Sequence, residues 1–303
     1  MTRAFFIFWI VFQGVSYSSG QQQNSSFQQE KQSYCLSLAK QYCHDAYNIL
    51  KSDVEAKFTR FINGKTKEEW AVSLETAVHE TCHSLNFYIP HDRFSSFGYF
   101  ITGDLSIECE GTSIFNSSEL NDYIPKSIRS QMYRYDTYIG DGNREISSKK
   151  DGIYGLLDEF CAYYHGIRCD LDLREAGILK SHIPVQTSWS KNTRQGTRSG
   201  YTIQTMESNM LDSYYEFRLF ISWYLQYAHE QYPDIYQSIY ENRQFREAYT
   251  LLDYLFAGMV QEIRGNEHLI DYFPTPSEQL FTTKDLEELE RFRLKGVTLD
   301  DFR

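Results

Sequence analysis

Apolar residues recur at helical spacing over most of this chain. Between about Gln32 and Ile62, the positions Leu36, Ala39, Tyr42, Tyr47, Leu50, Val54, Phe58 and Phe61 keep that rhythm until Asn63-Gly64 ends it. A second helical pattern runs from about Lys67 to Tyr88 and stops before Pro90. The period then changes. Across 95–115, Phe97, Tyr99, Ile101, Leu105 and Ile107 alternate with polar residues and glycines, which predicts one or two short strands. The stretch Tyr138–Lys150, containing Gly140-Asp141-Gly142-Asn143, reads as a loop. A third helix is expected over about Gly152–His165, with Gly166 as its cap. From Met206 to Arg264 the pattern is helical, rich in Tyr and Phe, and broken near Pro233. No internal repeat is visible. The expectation is a mainly α (α+β) chain with a small β element and an all-helical C-terminal part.

The two ends differ from this middle. Met1-Thr2-Arg3, the apolar run 4–12 and the small residues Ser16, Ser18 and Gly20 follow the order of a secretory signal peptide over residues 1–20. The run is too short to span a bilayer, and no other stretch reads as a membrane helix. Residues 21–31 are polar and low in complexity, so they are expected to be a disordered leader. The main domain is then 32–273, and 274–303 forms a charged tail helix after Pro274 and Pro276. The protein is thus expected to be secreted or periplasmic.

Export changes the meaning of the cysteines. Cys35, Cys43, Cys82, Cys109, Cys161 and Cys169 number six, which in an oxidising compartment suggests up to three disulfides of open connectivity. If Cys35 and Cys43 share one helix, they stand two turns or more apart and cannot pair with each other. Cys161 and Cys169 straddle the expected end of the third helix and could. Asn24 and Asn116 each begin an N-x-S sequon. Lys and Arg number 30 against 41 Asp and Glu, and the resulting charge of −11 argues against a nucleic-acid surface.

The second helix carries chemistry. Residues 79–83 read His-Glu-Thr-Cys-His. Two histidines four apart on a helix lie one turn apart on one side, so both imidazoles can reach one metal ion. The intervening Glu80 is displaced to the flank, where it can take a proton from water without being a ligand. Ala71, Leu74, Val78, Cys82 and Leu85 form a separate apolar stripe, so the proposed ligand face is not the packed face.

Two histidines leave a catalytic zinc one protein ligand short. The spaced third histidine of H-E-x-x-H-x-x-G-x-x-H is absent, since Asn86 and Ile89 occupy the required positions, and the reversed motif H-x-x-E-H does not occur. On the third helix, Ile153, Leu157, Phe160 and Tyr164 form a buried stripe and Glu159 points away from it, near the small residues Gly152, Gly155 and Ala162. That setting favours Glu159 over Asp158 as the third ligand.

His79-Glu80-x-x-His83 followed by a glutamate on a later helix resembles the gluzincin branch of zinc metallopeptidases. The resemblance implies a zincin-like helical domain, one Zn2+ per chain held by His79, His83 and Glu159, and Glu80 as catalytic base. It covers two helices. Asp158 stands where several gluzincins have Asn before the ligand Glu, and Tyr163 where they have Asp four residues after it. Tyr163, His165 and His182 are further candidates to stabilise an oxyanion, and Glu75 to orient a ligand histidine. Cys82 falls on the packed side. The implied activity is an exported zinc hydrolase acting on a peptide or protein substrate. The alternative is a catalytically silent, metallopeptidase-like binding or surface protein.

Overall fold

The computed structural model describes residues 21–142, 144–179, 211–266, 269 and 283–302. The proposed signal peptide, His182 and the Pro274-Pro276 segment lie outside these residues.

The architecture is mainly helical with one two-stranded antiparallel sheet. Helices α1 (Gln21–Tyr42) and α2 (His44–Ser52) open it, followed by a 3-10 turn at Lys57–Phe61. The single long helix expected over 32–62 is therefore broken at Cys43, whose φ of −130° and ψ of 80° are not helical. With α2 ending at Ser52, Val54 falls out of the apolar stripe and is exposed. Residues 21–31, expected to be disordered, belong to α1. Phe27 packs edge-on against Trp70, and Lys31 donates to the Ile62 carbonyl at 2.8 Å.

The second predicted helix is two: α3 (Lys67–Val72) and α4 (Leu74–Tyr88). Thr66 and Glu69 form a reciprocal capping box at the start of α3. The Ser73 hydroxyl bonds back to the Glu69 carbonyl at 2.9 Å, marking the junction.

Strands β1 (Ser96–Thr102) and β2 (Leu105–Glu110) pair with Tyr99 opposite Ile107 and Ser96 opposite Glu110. Their turn uses Gly103 at φ +60° and is pinned by Asp45, which accepts from Gly103 N and Thr102 Oγ1 at 2.7 and 2.8 Å. Gly98 lets β1 approach α4, because a Cβ there would stand 2.5 Å from Ile89 Cβ and 2.7 Å from the Asn86 carbonyl.

Three short helices follow, α5 (Lys126–Arg129), α6 (Tyr135–Tyr138) and α7 (Ser147–Lys150); α6 ends where the loop expected over 138–150 begins, and α7 makes the last four residues of that stretch helical. Helix α8 spans Gly152–Glu175 and does not stop at Gly166 as expected. It is the axis of the core, buried along both halves (Ile153, Leu157, Phe160, Ile167, Leu171, Leu173). Helix α4 packs along one side of it, and α9 (Asp212–Gln231) and α11 (Arg243–Arg264) on the other. Between those two lies α10 (Pro233–Glu241), begun by the proline that breaks the pattern. The charged helix α12 (Thr283–Phe292) is docked, with Leu289 and Phe292 buried and Phe292 against the rings of Phe245 and Tyr249. Among the described residues no helix is long and apolar enough to cross a membrane.

The longer α8 also corrects one cysteine expectation. Cys161 and Cys169 sit on one continuous helix, eight positions and about 12 Å apart along its axis, beyond the reach of a disulfide.

Candidate metal centre

Helices α4 and α8 form the most extensive helix pair in the structure. Gly166 permits their close approach at the site: a Cβ there would lie 3.1 Å from the Glu75 carbonyl and 3.3 Å from His79 Cβ. The tight contact sets the middle of α8 against the N-terminal half of α4 and places Glu159 and Asp158 across from His79 and His83.

Three groups converge at this seam. His79 Nε2 and His83 Nε2 stand 3.2 Å apart, and Glu159 Oε2 lies 3.8 Å from the first and 3.5 Å from the second. Ligand atoms about 2.0–2.1 Å from a shared tetrahedral ion lie roughly 3.3–3.4 Å from one another, so this spacing suits a common zinc. Glu159 Oε2 is buried with no hydrogen-bond partner among the described residues, a costly state for a carboxylate oxygen that a cation would relieve. The donor set fits zinc in both identity and number.

Asp158 orients the site. Its Oδ2 accepts from His83 Nδ1 at 2.7 Å, which leaves Nε2, facing His79 and Glu159, as the ring nitrogen that a metal ion would take once it is deprotonated. Its Oδ1 accepts from Asn86 Nδ2 at 2.7 Å, and Asn86 Oδ1 accepts from the Phe100 backbone N–H at 2.8 Å. A hydrogen-bonded line thus runs from strand β1 through Asn86 and Asp158 to the His83 ring.

The electrostatics of the two histidines differ. Burial, then the charges of His83 and Arg134, hold His79 well below the ordinary imidazole range. Burial also opposes charge on His83, but Asp158 and Glu159 together outweigh it and raise His83 well above that range. Glu80 is raised, first by burial and also by the Glu159 charge, against the lowering effect of His83 and Arg60. His83 remains 25% exposed in its side chain, so the seam is open on one side.

The other expected residues divide. Tyr163 comes beside the site, its ring edge-on to His79 at 4.5 Å and its hydroxyl 3.4 Å from that of Tyr138. Its other face is covered by Arg134, which pairs with buried Glu216 at 3.2 Å. His165 is not brought to the site, because its Nε2 bonds the Phe100 carbonyl at 3.1 Å. Glu75 is pushed up to about 7, chiefly by burial, and accepts from Thr76 at 2.9 Å; the ring-orienting bond expected of it is made to His83 by Asp158 instead. Gly155, one of the small residues near Glu159 in the sequence, packs against the Ser148 backbone and not against α4.

Sequence reasoning missed Asn86 and Arg134. Asn86 carried a faint signal, as a polar residue one position from the apolar stripe of α4. Arg134 carried none, because its partners Tyr163 and Glu216 are distant in the chain. No protein-family model, curated protein or solved structure matches this chain.

Proposed function

We propose that this chain is an exported zinc-dependent hydrolase of the gluzincin type that cleaves peptide bonds. The reading rests on one observation above the rest. Two imidazole nitrogens and one carboxylate oxygen meet within 3.8 Å, while Glu80, one residue along from His79, stays outside that triad. His79, His83 and Glu159 would hold the ion, and Asp158 keeps His83 in the tautomer that ligation needs.

Zinc held there would supply acidity to a water and polarisation of the scissile carbonyl. Glu80 takes the proton of the attacking water and returns it to the departing amine. A carboxyl held above its usual range by burial suits both roles, since it binds the proton firmly enough to keep it and releases it to a more basic amine. Tyr163, held between His79 and Arg134, is the candidate donor to the developing oxyanion.

The test is peptide-library cleavage by the zinc-reconstituted chain and by Glu80→Gln. Cleavage in the parent, with full zinc but no cleavage in the variant, is the expected result. Equal cleavage by both would remove Glu80 from the mechanism. Zinc binding without cleavage in either would favour the silent binding protein. N-terminal sequencing of the exported product tests the signal peptide, with a start near Gln21 expected.

A further inference from the structure

Directly behind the candidate zinc site, on the same two helices, lies a second cluster: Cys82 of α4 with Cys161 and His165 of α8. Cys82 precedes His83 in the chain, and Cys161 follows Glu159 by two. Both cysteines are fully buried, and their sulfurs stand 3.8 Å apart across the seam. Asn86 connects the two clusters, since its Nδ2 lies 2.7 Å from Asp158 Oδ1 and 3.6 Å from Cys161 Sγ. A bond between the sulfurs would therefore sit one residue from the ligand His83 and one hydrogen-bonded side chain from the carboxylate that orients it.

We propose that Cys82 and Cys161 form a disulfide that staples the two ligand-bearing helices together. Closing the pair to the bonded length of about 2.05 Å requires the sulfurs to approach by about 1.8 Å, which side-chain rotation and a small shift of α4 on α8 can supply. The alternative use of the cluster, a second metal, would have three fully buried donors with no solvent-exposed side, unlike the outer site. Cys161 Sγ and His165 Nε2 bond the Phe100 carbonyl at 3.2 and 3.1 Å, and His165 Nδ1 has no hydrogen-bond partner among the described residues, so a second metal is kept as an outcome of the test.

The oxidant is an exogenous disulfide, either a low-molecular-weight one such as oxidised glutathione or that of a protein dithiol oxidase. One cysteine thiolate attacks it, forming a mixed disulfide and expelling one thiol. The second cysteine thiolate then attacks the mixed disulfide, forms the Cys82–Cys161 bond and expels the other thiol. The two cysteines together lose two electrons and two protons, and the oxidant becomes two thiols. Because both sulfurs are sealed in the folded protein, the exchange takes place on the folding chain before α4 and α8 have closed.

The decisive experiment refolds the full chain in a glutathione redox buffer, alkylates free thiols, and digests without reduction for peptide mass analysis. The expected result is a linked Cys82–Cys161 peptide pair, two hydrogens lighter than the sum of its parts, with Cys35 and Cys109 alkylated. Reductant should lower the melting temperature of the parent and leave that of a Cys82→Ala/Cys161→Ala variant unmoved. Where the zinc site proposed above is present, its loss to a chelator should be about tenfold faster in that variant. Complete alkylation of Cys82 and Cys161 in chain with a native melting transition would overturn the proposal. So would a second bound metal that the double variant loses, which would give the cluster to that metal. The linked peptide is read without reference to zinc, so its absence and the absence of a zinc site are separate results.

Discussion

Two clusters of metal-capable side chains occupy one helix seam, and they differ in what their polar atoms already do. In the core cluster, Cys161 and His165 share the Phe100 carbonyl and Cys82 faces Cys161, all of them buried. In the outer cluster, His79, His83 and Glu159 turn atoms towards one another at 3.2–3.8 Å, and Glu159 Oε2 has no hydrogen bond among the described residues. The outer cluster is also the one with an opening, at the partly exposed His83. Composition alone would make both clusters candidates, and each holds an unpartnered buried atom, His165 Nδ1 in the core and Glu159 Oε2 outside; access to solvent separates them.

The sharpest way to break that comparison is at Glu80, which only the outer cluster should need. Glu80→Gln should lower peptide turnover by about 10²–10⁴-fold with zinc content unchanged, measured as kcat with metal analysis on the same samples. An equal loss of zinc would instead make Glu80 part of metal retention.

Asp158→Asn should weaken zinc affinity by about 10–100-fold, read by competition with a chromogenic chelator. The sign of the pH effect follows from the same contact. With His83 raised well above the ordinary imidazole range, the metal-free site carries a proton there at pH 7, and ligation must displace it. Zinc uptake at pH 7 should therefore release about one proton, measured by calorimetry in buffers of different ionisation enthalpy, and affinity should fall as pH is lowered. The Asp158→Asn chain should release less.

Gly166→Ala tests whether the seam itself must be tight. The added methyl meets the Glu75 carbonyl at 3.1 Å and His79 Cβ at 3.3 Å, so a loss of about 1–3 kcal/mol is expected from urea unfolding, together with weaker zinc binding. Gly177→Ala bears on no contact within 4 Å, but its φ of +70° also strains an alanine, so stability should fall there without a change in zinc affinity.

The outer cluster was more legible in the sequence than the seam that builds it. His79, Glu80 and His83 could be read because one helical turn sets their relation, and a turn is local. Glu159 could be read partly, as a carboxylate off the apolar stripe of its helix. Asp158 and Asn86 could not be assigned their bonds, since each depends on a partner more than seventy residues away. Gly166 was misread as a helix end for a physical reason. A glycine after a helical run is the usual cap signal, but here it serves helix contact, and the charged face of Arg168, Asp172 and Glu175 continues α8 beyond it. Likewise the break at Cys43 and the docking of residues 21–31 against Trp70 depend on neighbours that periodicity does not see.

The central claim is that His79, His83 and Glu159 hold one ion between them. It is tested most directly by metal analysis of the purified chain beside His83→Ala and Glu159→Ala. The account predicts about one zinc per chain in the parent and loss from both variants, each still folded by circular dichroism. A parent that takes up no zinc on reconstitution, or a Glu159→Ala chain that retains it at full affinity, would contradict it.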